Sequence, residues 1–454
     1  MKQRAVFIKT FGCQMNKHDS EKILGILENL DYRLTKDVSK ADLILLNTCT
    51  IREKAEHKVY SYLGRLKKLK NKNPKLIIGV GGCVAQQEGE RLLNRVPYLD
   101  MVFGTHNIQK LPELICEVER KGKRVSETTI YKSTPFLTGC MIPSKNQIKS
   151  YVTIMQGCDN YCSYCIVPYV RGRETSRKSA DILSEIKQLS DSGVKEVTLL
   201  GQNVNSYGKG LNGEMTFPGL LSCINEIDGI ERIRFTTSHP KDLSDELIDS
   251  FAEFDKLCEH IHLPVQSGSN LVLKAMNRGY AIEDYVTKVK KLVKVCPRIS
   301  ITSDIIVGFP GETEKDFEET LELMDVVRFD SVFSFKYSDR VETKASKLLE
   351  KVDGRIKGER LMTLQACQED FTLSKNRESV GEKEMVLVEG PSKTNPSRMT
   401  GRTRSNKVVN FEGLSDLIGC TVSVRIRRAF LHSLEGETSS SIGISEKKGF
   451  VDNQ

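Results

Sequence analysis

Three cysteines, Cys158, Cys162 and Cys165, lie on one short stretch with the spacing CxxxCxxC. Three thiolates on one loop can bind three irons of a [4Fe-4S] cluster and leave the fourth iron open for chemistry. Structural zinc normally takes four ligands, usually from paired knuckles, and no second knuckle lies nearby. Cys162 and Cys165 also form a CxxC pair, but nothing thioredoxin-like surrounds it. We therefore predict an iron–sulfur site with an open iron.

A second set of three cysteines is spread over the first hundred residues. Cys13, Cys49 and Cys83 each follow a short apolar run, and each is followed by a helical period. Near-continuous apolar strands that alternate with helices are typical of a parallel sheet, whose ligands gather beyond the carboxyl ends of the strands. We expect these three thiols to converge there as a second metal site. The alternative is that each is a core cysteine at the end of its strand.

Length, charge and cysteine usage limit the class of protein. The chain has 454 residues, which is long for one core, and a formal net charge of +8. No run is long and apolar enough to span a bilayer, and no apolar signal region follows the first residues. Thirteen cysteines without a signal peptide argue against a disulfide framework. We therefore expect a cytoplasmic protein without a membrane partner. Most cysteines outside the two sets are expected to be buried, namely Cys116, Cys140, Cys223, Cys258, Cys296, Cys367 and Cys420.

The pattern along the chain predicts an α/β protein of three domains. Residues 1–120 are expected to form a parallel-sheet α/β domain, and 121–148, rich in Lys, Thr, Ser and Pro, a linker. Residues 149–376 alternate strands and helices, which predicts a partial TIM-like (βα)6 barrel with its chemistry on the loops after the strands. Residues 377–446 alternate apolar and polar residues, which predicts a small β-barrel. The six barrel strands are predicted at Tyr151–Met155, Glu196–Leu200, Arg232–Thr236, His260–Leu263, Thr302–Val307 and Val332–Phe335.

The residues around both cysteine sets resemble a known family. The CxxxCxxC loop is similar to that of the radical S-adenosylmethionine enzymes. Thr10–Asn16, Asn47–Ala55 and Gly82–Gly89 resemble the methylthiotransferases within that superfamily, and Gly-Cys-Gln-Met-Asn at 12–16 is similar to the branch that acts on tRNA. Gly401–Glu412 is similar to the TRAM domain, an RNA-binding β-barrel. The resemblance covers almost the whole chain.

The resemblance implies two [4Fe-4S] clusters and S-adenosylmethionine as cofactors. In such enzymes a cluster at Cys158, Cys162 and Cys165 would chelate the methionyl group and reduce the sulfonium, which releases a 5′-deoxyadenosyl radical. An auxiliary cluster on the other three cysteines would supply or carry sulfur. The residues that the resemblance places against S-adenosylmethionine are Tyr164, Gly201, Gln202, Asn203 and Gly308.

The implied reaction is methylthiolation of C2 of N6-dimethylallyl(isopentenyl)adenosine next to the anticodon in tRNA. One S-adenosylmethionine would methylate sulfur on the auxiliary cluster, and a second would supply the radical. A radical is required because the C2–H of adenine has no acidic proton. The base must also leave its stack. Basic clusters such as Arg171, Arg173, Arg177 and Lys178 favour a polyanionic partner, and Arg402, Arg404 and Lys407 are expected to bind RNA phosphates.

The implied partners are the modified tRNA, an electron donor such as flavodoxin or ferredoxin, and proteins that supply iron and sulfur; a monomer is expected. Relatives that act on threonylcarbamoyladenosine in tRNA, or on an aspartate of a ribosomal protein, are the nearest alternatives. Gln14, Met15 and Asn16 favour the isopentenyl substrate. An alternative of another class is a non-catalytic iron–sulfur RNA-binding redox sensor. The chain departs from the family at Tyr337–Ser346, which lacks the usual turn with Pro and Gly, so no substrate contact is carried over to that loop.

Overall fold

The computed structural model describes residues 3–50, 53–131, 136, 147–211 and 213–438, without the side chains of 53–57. The chain divides into two units, 1–368 and 369–454. No helix within the described ranges is long and apolar enough to cross a membrane. The unit 1–368 contains both cysteine sets.

The first part of this unit is a sheet with helices on both faces. Its strands are β1 Arg4–Thr10, β2 Tyr32–Leu34, β3 Leu43–Thr48, β4 Ile77–Gly82, β5 Met101–Phe103 and β6 Val125–Glu127. Its helices are α1 Gln14–Glu28, α2 Glu53–Lys72, α3 Cys83–Glu88, α4 Glu90–Arg95 and α5 Leu111–Lys121. The strands are parallel in the order β2-β1-β3-β4-β5-β6. This confirms the predicted parallel sheet.

Burial explains why the central strands read as continuous apolar runs. Every residue of β3 and β4 is buried, because helices cover both faces of the sheet. Ile44 and Leu46 belong to the core on one face, and Leu43 and Leu45 to the core on the other. The sheet takes its sixth strand, Val125–Glu127, from the range that the sequence analysis assigned to a linker. That strand is short and only partly buried, so its alternation is weak in the sequence.

The second part of the unit is an incomplete barrel of strands and helices. Its strands are β7 Lys149–Thr153, β8 Met155–Gln156, β9 Thr175–Ser176, β10 Glu196–Leu200, β11 Arg232–Phe235, β12 His260–His262, β13 Ser300–Val307 and β14 Ser331–Lys336. Its helices are α6 Val167–Arg171, α7 Ser179–Asp191, α8 Phe217–Asn225, α9 Asp245–Glu253, α10 Asn270–Ala275, α11 Ile282–Val295 and α12 Glu314–Val327. The helix α13, Gly354–Glu378, contains the point where the two units divide.

The barrel strands form two parallel sheets among the described residues. One has the order β11-β10-β7 and the other β12-β13-β14. A parallel bridge between Ile233 and Leu257 connects the two sheets. This confirms the predicted partial barrel. The strand predicted at Tyr151–Met155 is divided, because the chain leaves β7 and pairs as β8 with β9 in the antiparallel sense.

The unit 369–454 contains a small closed barrel. Its strands are β15 Lys383–Pro391, β16 Met399–Arg402, β17 Val408–Phe411, β18 Thr421–Ala429 and β19 Leu434–Thr438. They close in the order β15-β16-β17-β19-β18, with only β17 and β19 parallel. Alternate apolar residues such as Val386, Val409 and Val424 fill the interior. This confirms the predicted β-barrel.

Candidate active site

The structure brings the N-terminal cysteines together at one edge of the first sheet. Cys13, Cys49 and Cys83 lie just beyond β1, β3 and β4, which are neighbouring strands. A Cβ atom on Gly12 would collide with the Cβ of Cys49, and Gly12 has a positive φ of 137°. Glycine therefore lets the chain turn after β1 and place Cys13 beside Cys49. The predicted convergence is present, whereas the role of these thiols as ligands stays a prediction.

Hydrogen bonds within this set favour a thiolate. The Cys49 side chain lowers the pKa of Cys13 to about 6, and the Asn16 backbone N–H and the Arg171 charge act in the same direction. The Cys13 thiol lies 3.3 Å from Asn16 Oδ1, and Asn16 Nδ2 donates to the Thr48 carbonyl at 3.0 Å. Thiolates are the form that binds metal. Asn16 therefore links the first cysteine to the strand that carries the second.

Cys83 is also buried. Burial raises the pKa of Cys83, and the adjacent Arg171 opposes this effect. Arg171 is itself buried and pairs with Asp19 at 2.9 Å. The basic cluster around 171–178 is therefore not wholly a surface for a polyanion. Arg177 is also buried and pairs with Glu185.

The second cysteine set lies on the loop that follows β8. Gly157 has a φ of +75°, and a Cβ there would collide with the Arg173 carbonyl. The Ser163 N–H donates to the Met276 carbonyl at 2.9 Å, and Asn277 Nδ2 donates to the carbonyls of Asn160 and Tyr161 at 3.1 Å. The segment after α10 thus fixes the backbone that carries the cysteines.

The loop at 337–346 also braces the cysteine loop. The Ala345 N–H donates to the Ser163 carbonyl at 2.8 Å, and Ala345 is fully buried. The Tyr337 hydroxyl donates to Asp339 Oδ1 at 2.9 Å. This loop is therefore anchored without the family's turn, through Ala345 and local hydrogen bonds.

Burial and one cation dominate the electrostatics around the CxxxCxxC loop. Burial raises the pKa of Cys158 to about 11 and that of Cys165 to about 12, and the neighbouring Cys162 adds to both. Arg278 Nη1 lies 3.4 Å from Cys162 Sγ, while Arg278 Nη2 donates to the Pro264 carbonyl at 2.6 Å. The guanidinium thus stands where thiolate charge would develop when metal binds.

His239 is the second group beside Cys162. Its Nε2 lies 4.0 Å from Cys162 Sγ. Burial lowers the pKa of His239 to about 2, and the Arg278 charge adds to this effect. The ring is therefore neutral at physiological pH. It adds a polar contact to this thiol without adding a charge.

The residues predicted to contact S-adenosylmethionine lie around this loop. Gln202 Oε1 accepts the Gly157 N–H at 2.6 Å, so its side chain holds the start of the cysteine loop. Tyr164 packs against an apolar cluster that includes Phe309, the residue after Gly308, and its hydroxyl lies 3.5 Å from Arg278 Nη1.

The two predicted glycines face close neighbours. A Cβ on Gly201 would collide with Met155, and a Cβ on Gly308 would collide with Lys357. Gly308 also has a φ of +70°. Gly308 therefore suits its left-handed backbone, and Gly201 leaves room for the Met155 side chain. Their contact with the cofactor stays a prediction.

Five of the buried polar atoms without a partner among the described residues lie beyond the barrel strands. They are Asn203 Oδ1, both amide atoms of Asn205, Ser238 Oγ and Gln266 Oε1. Asn203 and Asn205 follow β10, Ser238 follows β11 and Gln266 follows β12. Buried polar groups are normally hydrogen-bonded, so this set indicates a polar ligand at the mouth of the barrel.

The arrangement of donors does not match a single metal ion. Within the described ranges, no group of three or more His, Cys, Asp or Glu side chains could hold one ion. A [4Fe-4S] cluster makes a different demand, since each thiolate binds its own iron. The three cysteines of each set, with no carboxylate among them, have the ligand chemistry that such a cluster takes. The polar atoms beyond β10 to β12 suit the amino, carboxylate and ribose groups of S-adenosylmethionine.

The predicted RNA-binding residues lie on one turn of the small barrel. Arg402 Nη1 donates to the Asn406 carbonyl at 3.0 Å, and Arg402 Nε pairs with Glu389 at 3.3 Å. Lys407 Nζ donates to the Lys375 carbonyl at 3.0 Å. Arg404 lies between them and is partly exposed. Arg402 therefore braces the turn from Gly401 to Lys407, and Lys407 joins the end of the turn to α13.

Comparison with known proteins gives three family models along the chain. Residues 5–104 match "Uncharacterized protein family UPF0004", 152–324 match the radical SAM superfamily, and 377–438 match the TRAM domain. The chain is 57% identical over 435 residues to the tRNA-2-methylthio-N(6)-dimethylallyladenosine synthase of Syntrophus aciditrophicus (strain SB), which covers 96% of this chain and 94% of that protein. It is 54% identical to the protein of the same name from Geotalea uraniireducens (strain Rf4), over 96% of this chain and 99% of that one.

This chain belongs to the tRNA-2-methylthio-N(6)-dimethylallyladenosine synthases. Like other members of this family, it is a radical S-adenosylmethionine enzyme with an iron–sulfur cluster. The fold is also similar to TsrM from Kitasatospora setae, described as a radical S-adenosylmethionine methyltransferase, with a TM-score of 0.55 and 14% identity over 76% of this chain and 75% of that one. The domain boundaries at 120, 148 and 376 stay predictions.

Several residues around the two cysteine sets were missed by the sequence analysis. Arg278, His239 and Asn277 contact the cysteine loop although each lies far from it along the chain. Arg171 was noted only as one of a basic cluster. Nothing in the sequence alone indicates that a cation is buried, so these residues could be identified only from the fold.

The expectation for the remaining cysteines is only partly right. Cys258 and Cys296 are buried, but Cys116, Cys223 and Cys367 are partly exposed and Cys420 is exposed. Cys140 lies outside the described residues. Most of these thiols are therefore at the margins of the core, where a small side chain fits without being enclosed.

Gly157 should be essential for iron at the second cysteine set. In Gly157→Ala the new methyl group would meet the Arg173 carbonyl, so the loop must shift. Gly193→Ala is the matched control, because Gly193 also has a positive φ, 90°, but open space around it. Both variants carry a strain of about 1–2 kcal/mol. Only Gly157→Ala should lose iron and sulfide after anaerobic reconstitution, and equal iron in the two variants would contradict the assignment.

Proposed function

We propose that this chain methylthiolates C2 of N6-dimethylallyladenosine next to the anticodon in tRNA, using two [4Fe-4S] clusters and two molecules of S-adenosylmethionine. The observation that carries the proposal is the presence of two separate three-cysteine sets in one unit. Cys158, Cys162 and Cys165 lie at the mouth of the barrel, and Cys13, Cys49 and Cys83 at the edge of the first sheet.

We infer a different role for each cysteine set from its surroundings. When bound, the cofactors supply a 5′-deoxyadenosyl radical at the barrel and sulfur at the sheet edge. Arg278 balances thiolate charge at the barrel, and the neutral His239 adds no competing charge. Asn203, Ser238 and Gln266 present polar atoms to a ligand in a water-excluded mouth. The protein's part is thus to bind, orient and shield, as is usual for cofactor enzymes.

The tRNA is proposed to be held through its phosphates by the small barrel, with Arg402, Arg404 and Lys407 as contacts. The hydrogen bond of Arg402 to the Asn406 carbonyl fixes the shape of the turn, and that of Lys407 to the Lys375 carbonyl joins the turn to α13, with Arg404 between them in sequence. Phosphate contacts position a nucleic acid but carry no sequence information. Selection of the isopentenyl base must therefore occur in the unit that holds the cysteines.

The proposed reaction also implies protein partners and a cellular compartment. Reduction of the cluster at the barrel requires an electron donor of the flavodoxin or ferredoxin kind, and repeated turnover requires a supply of iron and sulfur. A monomer suffices, because one chain carries both cysteine sets. Cysteines that form no disulfide within the described ranges, together with a tRNA substrate, favour the cytoplasm, where thiols stay reduced.

The reaction can be tested directly. The protein is reconstituted anaerobically with iron and sulfide and given dithionite, S-adenosylmethionine and isopentenyladenosine tRNA. Digestion of the RNA should yield the methylthio nucleoside, identified by mass. If 5′-deoxyadenosine forms without that nucleoside, the substrate is wrong and threonylcarbamoyl tRNA becomes the next candidate. If neither product forms, a non-catalytic redox sensor explains the chain better.

The two cysteine sets should fail in different ways. Cys162→Ala should abolish cleavage of S-adenosylmethionine, because one iron of the barrel cluster loses its ligand. Cys49→Ala should retain cleavage to 5′-deoxyadenosine but lose the methylthio product. Cys116 is a partly exposed cysteine outside both sets, so Cys116→Ala serves as the control. It should retain both the cleavage of S-adenosylmethionine and the formation of the methylthio product. A methylthio product from Cys49→Ala would refute the assigned roles.

Arg404 should contribute to tRNA affinity through charge. In Arg404→Gln the affinity should fall, and the slope of log K against log salt should become shallower by about 0.7–0.9 for each phosphate that the variant no longer binds. The exposed Lys123, in the other unit, provides Lys123→Gln as a control of equal charge change. Filter binding over a range of potassium chloride concentrations measures both quantities. An unchanged slope in Arg404→Gln would exclude Arg404 from the RNA contacts.

A further inference from the structure

One short segment, residues 166–171, connects the two cysteine sets. It begins one residue after Cys165 and contains α6. Ile166 and Val170 pack directly against Cys83 in one apolar cluster. The Thr105 hydroxyl donates to the Val170 carbonyl at 2.6 Å. The segment that leaves the barrel cysteines therefore lies against the sheet-edge cysteines.

Arg171 is the last residue of this segment, and its guanidinium lies at the edge of the first sheet. Its Nη2 donates to Asp19 Oδ2 at 2.9 Å, and the exposed fractions of the two side chains are 5% and 10%. His106 Nε2 lies 2.9 Å from the Arg171 carbonyl. The backbone and the side chain of Arg171 are thus both fixed by residues of the first sheet domain.

A buried ion pair of this kind is not explained by its contribution to stability alone. Removing two charges from water costs several kcal/mol for each ion, and the pair regains this only with good geometry and further hydrogen bonds. Burial alone would lower the pKa of the Arg171 guanidinium, but the neighbouring Asp19, Cys83 and Cys13 together raise it. The cation therefore stands between a carboxylate and two of the predicted cluster ligands.

We propose that Arg171 is a positioning residue that sets the charge balance of the cluster held by Cys13, Cys49 and Cys83, with Asp19 as the opposing charge. The proposal rests on the proposed function, because it requires a cluster at that set. Net charge and hydrogen bonds to sulfur are what tune the reduction potential of an iron–sulfur cluster. Arg171 supplies a positive charge and Asp19 a negative charge within the same buried space.

The signs of the expected effects follow from electrostatics. One-electron reduction adds a negative charge to the cluster, so a nearby cation stabilises the reduced form and raises the midpoint potential. Arg171→Gln should therefore shift the potential in the negative direction. Asp19→Asn should shift it in the positive direction, because the carboxylate destabilises the same reduced form. A purely structural ion pair gives no reason for opposite signs.

The experiment uses the full chain with Cys158, Cys162 and Cys165 replaced by Ala, so that only one cluster is present. Midpoint potentials are measured by redox titration with electron paramagnetic resonance detection. Arg171→Lys should stay near the parent value, since it retains the charge. Arg173→Gln is the matched control, because Arg173 is exposed and pairs with Asp159, and it should leave the potential unchanged.

A double variant covers the case in which a single variant does not fold. Asp19→Asn with Arg171→Gln removes both charges and leaves no unpaired ion, so it should bind iron and have a potential near that of the parent. Shifts of the same sign in the two single variants, or no shift in Arg171→Gln, would overturn the proposal and leave the proposed function standing. Failure of the parent itself to bind a cluster would overturn the proposed function and this inference with it.

Discussion

Negative charge on buried sulfur is the constraint on which this structure depends. Six thiols are proposed to bind iron as thiolates, and they lie at sites where burial alone raises the pKa of Cys83, Cys158 and Cys165. Each set lies beside one buried arginine, Arg171 at the sheet edge and Arg278 at the barrel mouth. Arginine suits this position, because its guanidinium stays charged when enclosed and offers several donors in a fixed plane.

The two arginines are held in ways that match their surroundings. Arg278 donates to the Pro264 carbonyl and lies near Tyr164 and Cys162, so its neighbours are mostly neutral when no metal is bound. Arg171 instead has the carboxylate of Asp19. The sheet-edge cysteines therefore lie in the field of the Arg171–Asp19 ion pair, and the barrel cysteines in the field of the Arg278 cation. This difference gives the two cysteine sets different electrostatic settings within one chain.

Sequence reasoning succeeded where periodicity and chain order carry the information. Three apolar runs ending in cysteine predicted a parallel sheet, and β1, β3 and β4 proved to be neighbours, which brings Cys13, Cys49 and Cys83 together. The boundary near 121 is harder to predict, since the short strand Val125–Glu127 has too few residues for a clear pattern. Buried cations could not be predicted, because Arg171 and Arg173 differ by two positions and both read as basic. Only the fold separates the enclosed Arg171, paired with Asp19, from the exposed Arg173.

The barrel mouth combines backbone strain with unpaired polar atoms. Thr237 has a φ of +71° and Gln266 a φ of +77°, both in the left-handed region that costs a side-chain-bearing residue of order 1–3 kcal/mol. Ser238 Oγ and Gln266 Oε1 have no partner among the described residues. Buried pairs below the mouth, such as Arg234 with Glu196 at 2.9 Å, hold the strands that impose this conformation. A ligand that hydrogen-bonds these atoms stabilises the folded barrel, so folding of the barrel and binding of the cofactor are thermodynamically linked.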